Sequence, residues 1–311
     1  MSISKKIRTK IKSVQSTQKI TRAMQMVATS KMRKTQQKMR LARPYAEHIR
    51  RMIVNLTSLN NYSRSMSNYL RIPTAFKNVA IILITTDKGL CGGLNTNAIK
   101  LFYNKVKSLQ GNKFDINIQI CALGYKGLLA ANKIKLNVTS STVALGDTPK
   151  MEQLIGPLSA ILNGYKDGAI DEVYVIYSKF INTMKQVPLC EKLLPITTML
   201  KDESSSVTNN INKNVNNDEA HTATKATIDY LCEPSLTEVL DGLMRRYIES
   251  IVYQCLTDNM ASEQVSRMMA MRTATDNAND AIASLKLAYN KSRQALITKE
   301  LAEIVSGSST I

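Results

Sequence analysis

The chain has 311 residues, is 44% apolar and 5% aromatic with no Trp, and carries a net charge of +18. That apolar content is enough for one or two domains with a real core. No apolar run approaches the ~18–20 residues of a membrane span, and the five scattered cysteines (Cys91, Cys121, Cys190, Cys232, Cys255) contain no CxxC pair, which reads as reduced thiols in a cytoplasmic protein rather than a disulfide framework.

The charge is uneven. Residues 1–58 hold 15 Lys/Arg and a single acid, Glu47, whereas residues 236–305 hold 8 Lys/Arg and 9 Asp/Glu. The excess therefore belongs largely to the first segment and asks for an acidic partner. Glycine is uneven too: none occurs from Met1 to Lys88 or from Leu243 to Ser306. Glycine costs roughly 1 kcal/mol relative to Ala inside a helix, so Gly-free stretches rich in Ala, Met, Gln, Lys and Arg predict two very long terminal helices around a compact middle.

The first helix is predicted over 1–58. Heptad-spaced positions hold Ile7, Ile11, Val14, Gln18, Thr21, Gln25, Ala28, Met32, Thr35, Met39, Ala42, Ala46, Ile49, Ile53 and Leu56, eleven of the 15 apolar, which is a coiled-coil seam. Across its polar gap at Gln18–Gln25 a displaced stripe runs through Ile20, Ala23, Met24 and Val27, so the helix meets different surfaces along its length. Pro44 predicts a kink or local break.

Residues 72–200 change character. Val79–Thr85 reads as a buried strand, followed by the loop 87–95 and a helix to about Leu109. A second strand is expected at Ile116–Leu123, a short helix after Gly124, a third strand near Leu136–Thr139, a helix over Met151–Tyr165 and a strand at Val173–Tyr177. Strands alternating with helices predict a largely parallel sheet covered on both faces. The fold class is thus α/β: a Rossmann-like central domain plus a long antiparallel coiled coil of the terminal helices. Residues 201–233 read as an Asn/Ser-rich loop and connector. Pro234, Ser235 and Thr237 open the last helix, which spans 234–307 and ends near Gly307. Leu240, Leu243, Tyr247 and Ile251 mark its first apolar face, and Ala278, Ile282, Leu285, Tyr289 and Leu296 a later one.

Three segments carry a resemblance: IRTKIKSVQSTQKITRAMQMVATSKMRK (7–34), TTDKGLCGGLN (85–95), and RRYIESIVYQCLTDNMASEQVSRMMAMRTATDNANDAI (245–282) continuing into NKSRQALITKELAEIVSG (290–307). Together, and in this order, they resemble the gamma subunit of the F-type ATP synthase. The resemblance implies a non-catalytic rotor shaft with a Rossmann-like domain at its side. Its implied partners are the alpha and beta subunits of the catalytic head, the epsilon subunit and the membrane c-ring, with no nucleic acid and no cofactor. The implied location is the cytoplasmic face of a bacterial inner membrane. The missing presequence agrees with that origin, and the missing cysteine-pair insertion argues against a thiol switch. Carried onto this chain, the motifs put Met24, Arg267, Gln294 and Thr298 toward the beta subunits. Tyr230 and Glu233 are the expected foot on the ring.

The residues offer little else. The Gly89–Gly93 loop follows a strand and precedes a helix, but matches neither GxxxxGK[ST] nor GxGxxG, so a tight turn outweighs a nucleotide site. His48 and His221 have no ligand-spaced neighbours. Asp171–Glu172 and Asp202–Glu203 read as a turn and a solvated loop rather than an acid/base couple. Two other functional classes fit parts of the chain. One is a basic coiled coil that binds nucleic acid or anionic membrane, although Tyr45 is the only aromatic in 1–58. The other is a Rossmann-type enzyme with helical arms.

Overall fold

The computed structural model describes residues 3–59, 68–71, 73, 77–112, 116–147, 149–195 and 233–308. Tyr230, His221, Cys232 and the Asp202–Glu203 pair lie outside them. The described elements are α1 (Ile3–Leu59), β1 (Asn78–Ile84), α2 (Leu94–Asn112), β2 (Asn117–Leu123), α3 (Tyr125–Lys133), β3 (Asn137–Thr142), α4 (Glu152–Lys166), β4 (Glu172–Phe180), β5 (Gln186–Leu194) and α5 (Leu236–Ser308), with a short 3-10 turn at Asn68–Leu70. The chain divides into two compact units. One comprises Arg33–Gly89 and Gly93–Glu263; the other comprises Met1–Met32, Leu90–Gly92 and Gln264–Ile311.

The larger unit is built on a five-stranded sheet of order β3-β2-β1-β4-β5. β1 pairs in parallel with β2 and β4, β2 in parallel with β3, and β5 closes the edge antiparallel to β4. Alternation along β1 sorts the two faces. Ala80, Ile82 and Ile84 join Leu154, Leu158, Ile161 and Tyr165 of α4, Ile49 and Ile53 of α1, and Met244, Tyr247, Ile248 and Val252 of α5. Val79, Ile81 and Leu83 join Phe102 and Val106 of α2 and Ala131 of α3. Both faces are covered, which is why β1 reads as an uninterrupted apolar run. β5 was not predicted. Its sequence, QVPLCEKLL, mixes charge and proline, and most of it is only half-buried. An edge strand tolerates Pro188 because one side of its backbone has no ladder to complete.

Of the kink or local break expected at Pro44, the break does not occur: α1 is one helix from Ile3 to Leu59 with Pro44 inside it. Proline forfeits one backbone bond and clashes with the preceding turn, at about 3 kcal/mol. Burial of Ile49 and Ile53 just beyond it offsets that at roughly 1.5–3 kcal/mol per side chain. At the start of α5, the Ser235 hydroxyl accepts the Glu238 backbone N–H at 3.3 Å, which caps the helix. Gly307 lies within α5, one residue before its end.

Candidate partner surface of the paired helices

In the smaller unit the two terminal helices lie antiparallel, as two cross-links show. Gln18 donates its amide to the Asn279 carbonyl oxygen, and the Thr21 and Thr275 hydroxyls meet at 2.8 Å. Every heptad position of α1 in this unit, from Ile7 to Met32, is buried or half-buried. The seam therefore runs where the spacing put it, including through its polar stretch. Thr21, Ala28 and Thr275 are buried in it, along with Met271, Ala278 and Ile282.

The polarity of this stretch is inverted. Gln18, Thr21 and Gln25 face the partner helix, while Ile20 (55% exposed), Met24 (40%), Met26 (62%) and Val27 (53%) face outward. Burying apolar area is worth about 25 cal/mol per Å², so a helix pair with no other partner would turn these side chains inward. The basic residues flank this stripe: Lys5, Lys6, Arg8, Lys10, Lys12, Lys19 and Arg22 are all exposed.

A second apolar stripe lies near the end of α5. Ile297, Leu301, Ile304 and Val305, spaced for one helical face, are 49%, 56%, 67% and 66% exposed. The Thr21–Thr275 register puts residue 293 opposite Ile3, so these residues extend past the paired segment. Leu296, expected to mark a packed face, is 38% exposed for the same reason. Periodicity gives a face but not what covers it, and the residues after Leu296 were missed.

The structure separates the predicted contact residues. Met24 lies across from residue 272 by the same register, close in level to the half-buried Arg267. Gln294 and Thr298, both exposed, sit ~40 Å farther along α5 at 1.5 Å per residue. The Thr298 hydroxyl donates to the Gln294 carbonyl at 3.0 Å, within its own helix. Glu233 is exposed just before α5.

Among the described residues of the larger unit, the polar groups at the strand ends are engaged in structural contacts. Ligands of doubly wound sheets bind at the carboxyl ends of the strands. There the Asp87 carboxylate accepts the backbone N–H of Tyr125, the first residue of α3, at 3.0 Å and that of Leu145 at 3.1 Å. It thus takes the position at a helix N-terminus that a phosphate would use. Asn95 completes the turn by accepting the Thr86 N–H at 3.2 Å and donating to the Thr86 hydroxyl at 2.7 Å. Asp171 and Glu172 have separate tasks. Asp171 accepts the Lys77 and Asn78 N–H groups at 3.0 and 2.9 Å; Glu172 holds Lys192 and the Tyr174 hydroxyl. His48 is exposed, and among the described residues no group of three His, Cys, Asp or Glu is arranged to hold a metal.

The ATP synthase family model matches residues 4–311. The ATP synthase gamma chain of Chromobacterium violaceum is 50% identical over 313 residues, covering 100% of both chains. That of Neisseria meningitidis serogroup A is 50% identical over 311 residues, again covering 100% of both. This chain belongs to the ATP synthase gamma chain family. Among solved structures, a chain of the Tetrahymena thermophila mitochondrial ATP synthase central stalk and c-ring matches with a TM-score of 0.57 at 27% identity, covering 82% of this chain and 99% of that one. A chain of the Euglena gracilis mitochondrial ATP synthase rotor shares the fold, with a TM-score of 0.61 at 18% identity, covering 94% and 98%. The gamma-chain fold thus combines an α/β sheet domain with paired terminal helices.

Proposed function

We propose that this chain is the central-stalk rotor subunit of a proton-translocating F-type ATP synthase. It carries torque from the membrane c-ring to the catalytic beta subunits and holds no catalytic residue of its own. In this reading residues 1–58 and 234–307 are the shaft, 72–200 the side domain and 201–233 the connector. The alpha, beta and epsilon subunits and the c-ring are its partners, and it works at the cytoplasmic face of a bacterial inner membrane. The observation that carries the reading is the inverted helix pair. A seam closed by side-chain hydrogen bonds, with Ile20, Met24 and Val27 turned outward, suits a shaft that must present apolar side chains to a surrounding sleeve. Apolar contacts are non-directional, so such a surface can slide without being trapped at one angle, as ion pairs would trap it.

Met24, Arg267, Gln294 and Thr298 are the proposed contacts with the beta subunits, and Tyr230 and Glu233 the foot on the ring. Substituting Met24→Lys should leave folding intact and lower the ATP made per proton in inverted membrane vesicles, because a new charge binds one rotor angle too tightly. Unchanged coupling would remove Met24 from the contact. The rotor reading itself is tested by an affinity tag inserted within 205–217 and purification from detergent-solubilised membranes. One copy recovered with several nucleotide-binding subunits and ATPase activity is expected. Recovery of the chain alone, or with nucleic acid that salt removes, would overturn it.

A further inference from the structure

The larger unit carries a groove that the rotor reading does not use. It lies between α2 and α3, on the helix-covered side of the sheet that packs Phe102 and Val106. Its floor and walls include Ile99, Tyr103, Leu129 and Ala130. The two helices are tied across it by the Tyr103 hydroxyl, which donates to the Ala130 carbonyl at 3.3 Å. It consists of two adjoining pockets of about 790 and 350 Å³ that share Tyr103 and Lys133, and together they line α2 from Thr96 to Gln110, roughly 21 Å at 1.5 Å per residue.

The charge around this groove has one sign and a regular spacing. Lys100 and Lys107 stand on the α2 wall, seven residues apart; Lys126 and Lys133 stand on the α3 wall, also seven apart. Lys126 is half-buried and the other three are exposed. Lys105 is turned away, its ammonium 3.8 Å from the Tyr174 ring centre. No Asp or Glu occurs in 88–114 or 116–146, so neither helix supplies a counter-charge. Ordinary solvated helix faces mix both signs.

We propose that the α2–α3 groove docks an acidic amphipathic helix of a partner protein. Helix-in-groove recognition places apolar side chains at i, i+3/i+4 and i+7 on an apolar floor. Seven residues of such a helix advance about 10.5 Å, the same step as each lysine pair, so carboxylates one heptad apart on its two flanks meet all four ammonium groups. A concave apolar floor fits a helix better than a bilayer, which needs a protruding apolar face. It also fits a helix better than a nucleic-acid strand, which needs a track of stacking rings.

The test uses the full chain and a fluorescein-labelled acidic peptide with leucines on one helical face and glutamates seven residues apart on both flanks. Binding is read by anisotropy. The variant K100Q/K107Q/K126Q/K133Q, with native far-UV circular dichroism, should bind about tenfold more weakly. It keeps every basic residue of α1, so the difference reports the groove alone. Leu129→Arg, a second variant at an exposed position, should weaken binding while adding positive charge, which bulk attraction would not do. Equal binding by wild type and the glutamine variant would overturn the proposal, as would equal binding of a sequence-scrambled peptide. So would binding of phosphatidylglycerol vesicles, in preference to the peptide, that the same substitutions abolish.

Discussion

Gly124 joins β2 to α3 at φ 105°, and a Cβ built there would lie 2.3 Å from the Thr85 carbonyl oxygen. One turn on, the Gly127 N–H donates to the Thr85 hydroxyl at 2.7 Å, so the first turn of α3 rests directly on the end of β1. Gly124→Ala combines a disfavoured backbone conformation with an overlap against main chain. It should cost more than about 3 kcal/mol, read as a lowered urea midpoint. A loss under about 1 kcal/mol would mean that β1 and α3 can separate without harm. Nearby, Asp87 takes two backbone N–H groups, which explains a carboxylate in a glycine-rich loop without any ligand. Glu249 is similar: it is almost fully buried on α5 and is held by Arg245 and Arg246, both at 3.1 Å.

The helix pair carries its own prediction at the scale of elements. Thr21 and Thr275 share one hydrogen bond across the seam. Each hydroxyl also reaches a carbonyl of its own helix, Thr21 that of Gln18 at 3.0 Å and Thr275 that of Met271 at 2.8 Å, so changing either alone to Val should cost about 1 kcal/mol, the worth of the shared bond, and changing both should cost little more than changing one. A double-mutant cycle by chemical denaturation checks this, and additive losses would show that the hydroxyls act independently. The seam was legible because steps of four and three over long stretches leave one solution for a helix pair. The displaced stripe of Ile20, Met24 and Val27 was legible too, as a change of surface. β5 was not, because an edge strand needs neither the alternation nor the apolar content that mark a buried one. The exposed end of α5 was missed for a different reason: helical periodicity is identical whether a face is covered by the same chain or by another protein.

Across the whole molecule, alkaline pH should be the chief ionic threat to stability. Burial pushes the Cys121 thiol up to about 11 and the Tyr165 phenol up to about 12. Burial also raises Cys255, Tyr174 and Tyr177. Each of these groups holds its proton more tightly folded than unfolded. Their contribution is therefore complete below pH ~9 and is lost as pH rises toward their folded values. Unfolding free energy should be flat near neutrality and fall from pH 9 to 11, with roughly 2–3 kcal/mol of the drop from Cys121. Denaturation curves of the wild type and Cys121→Ala at each pH test it; parallel slopes would assign the loss elsewhere.

The pairing of the start of α1 with the stretch of α5 from Gln264 to residue 293 also sets a schedule. A ribosome adds about 5–20 residues per second, so the opening helix waits roughly 10–50 s for its mate to be synthesised. During that interval its unbroken run of like charge, with no Asp or Glu in residues 1–32, repels other nascent chains. The features that fit the finished helix to its neighbours thus also protect it before it has any.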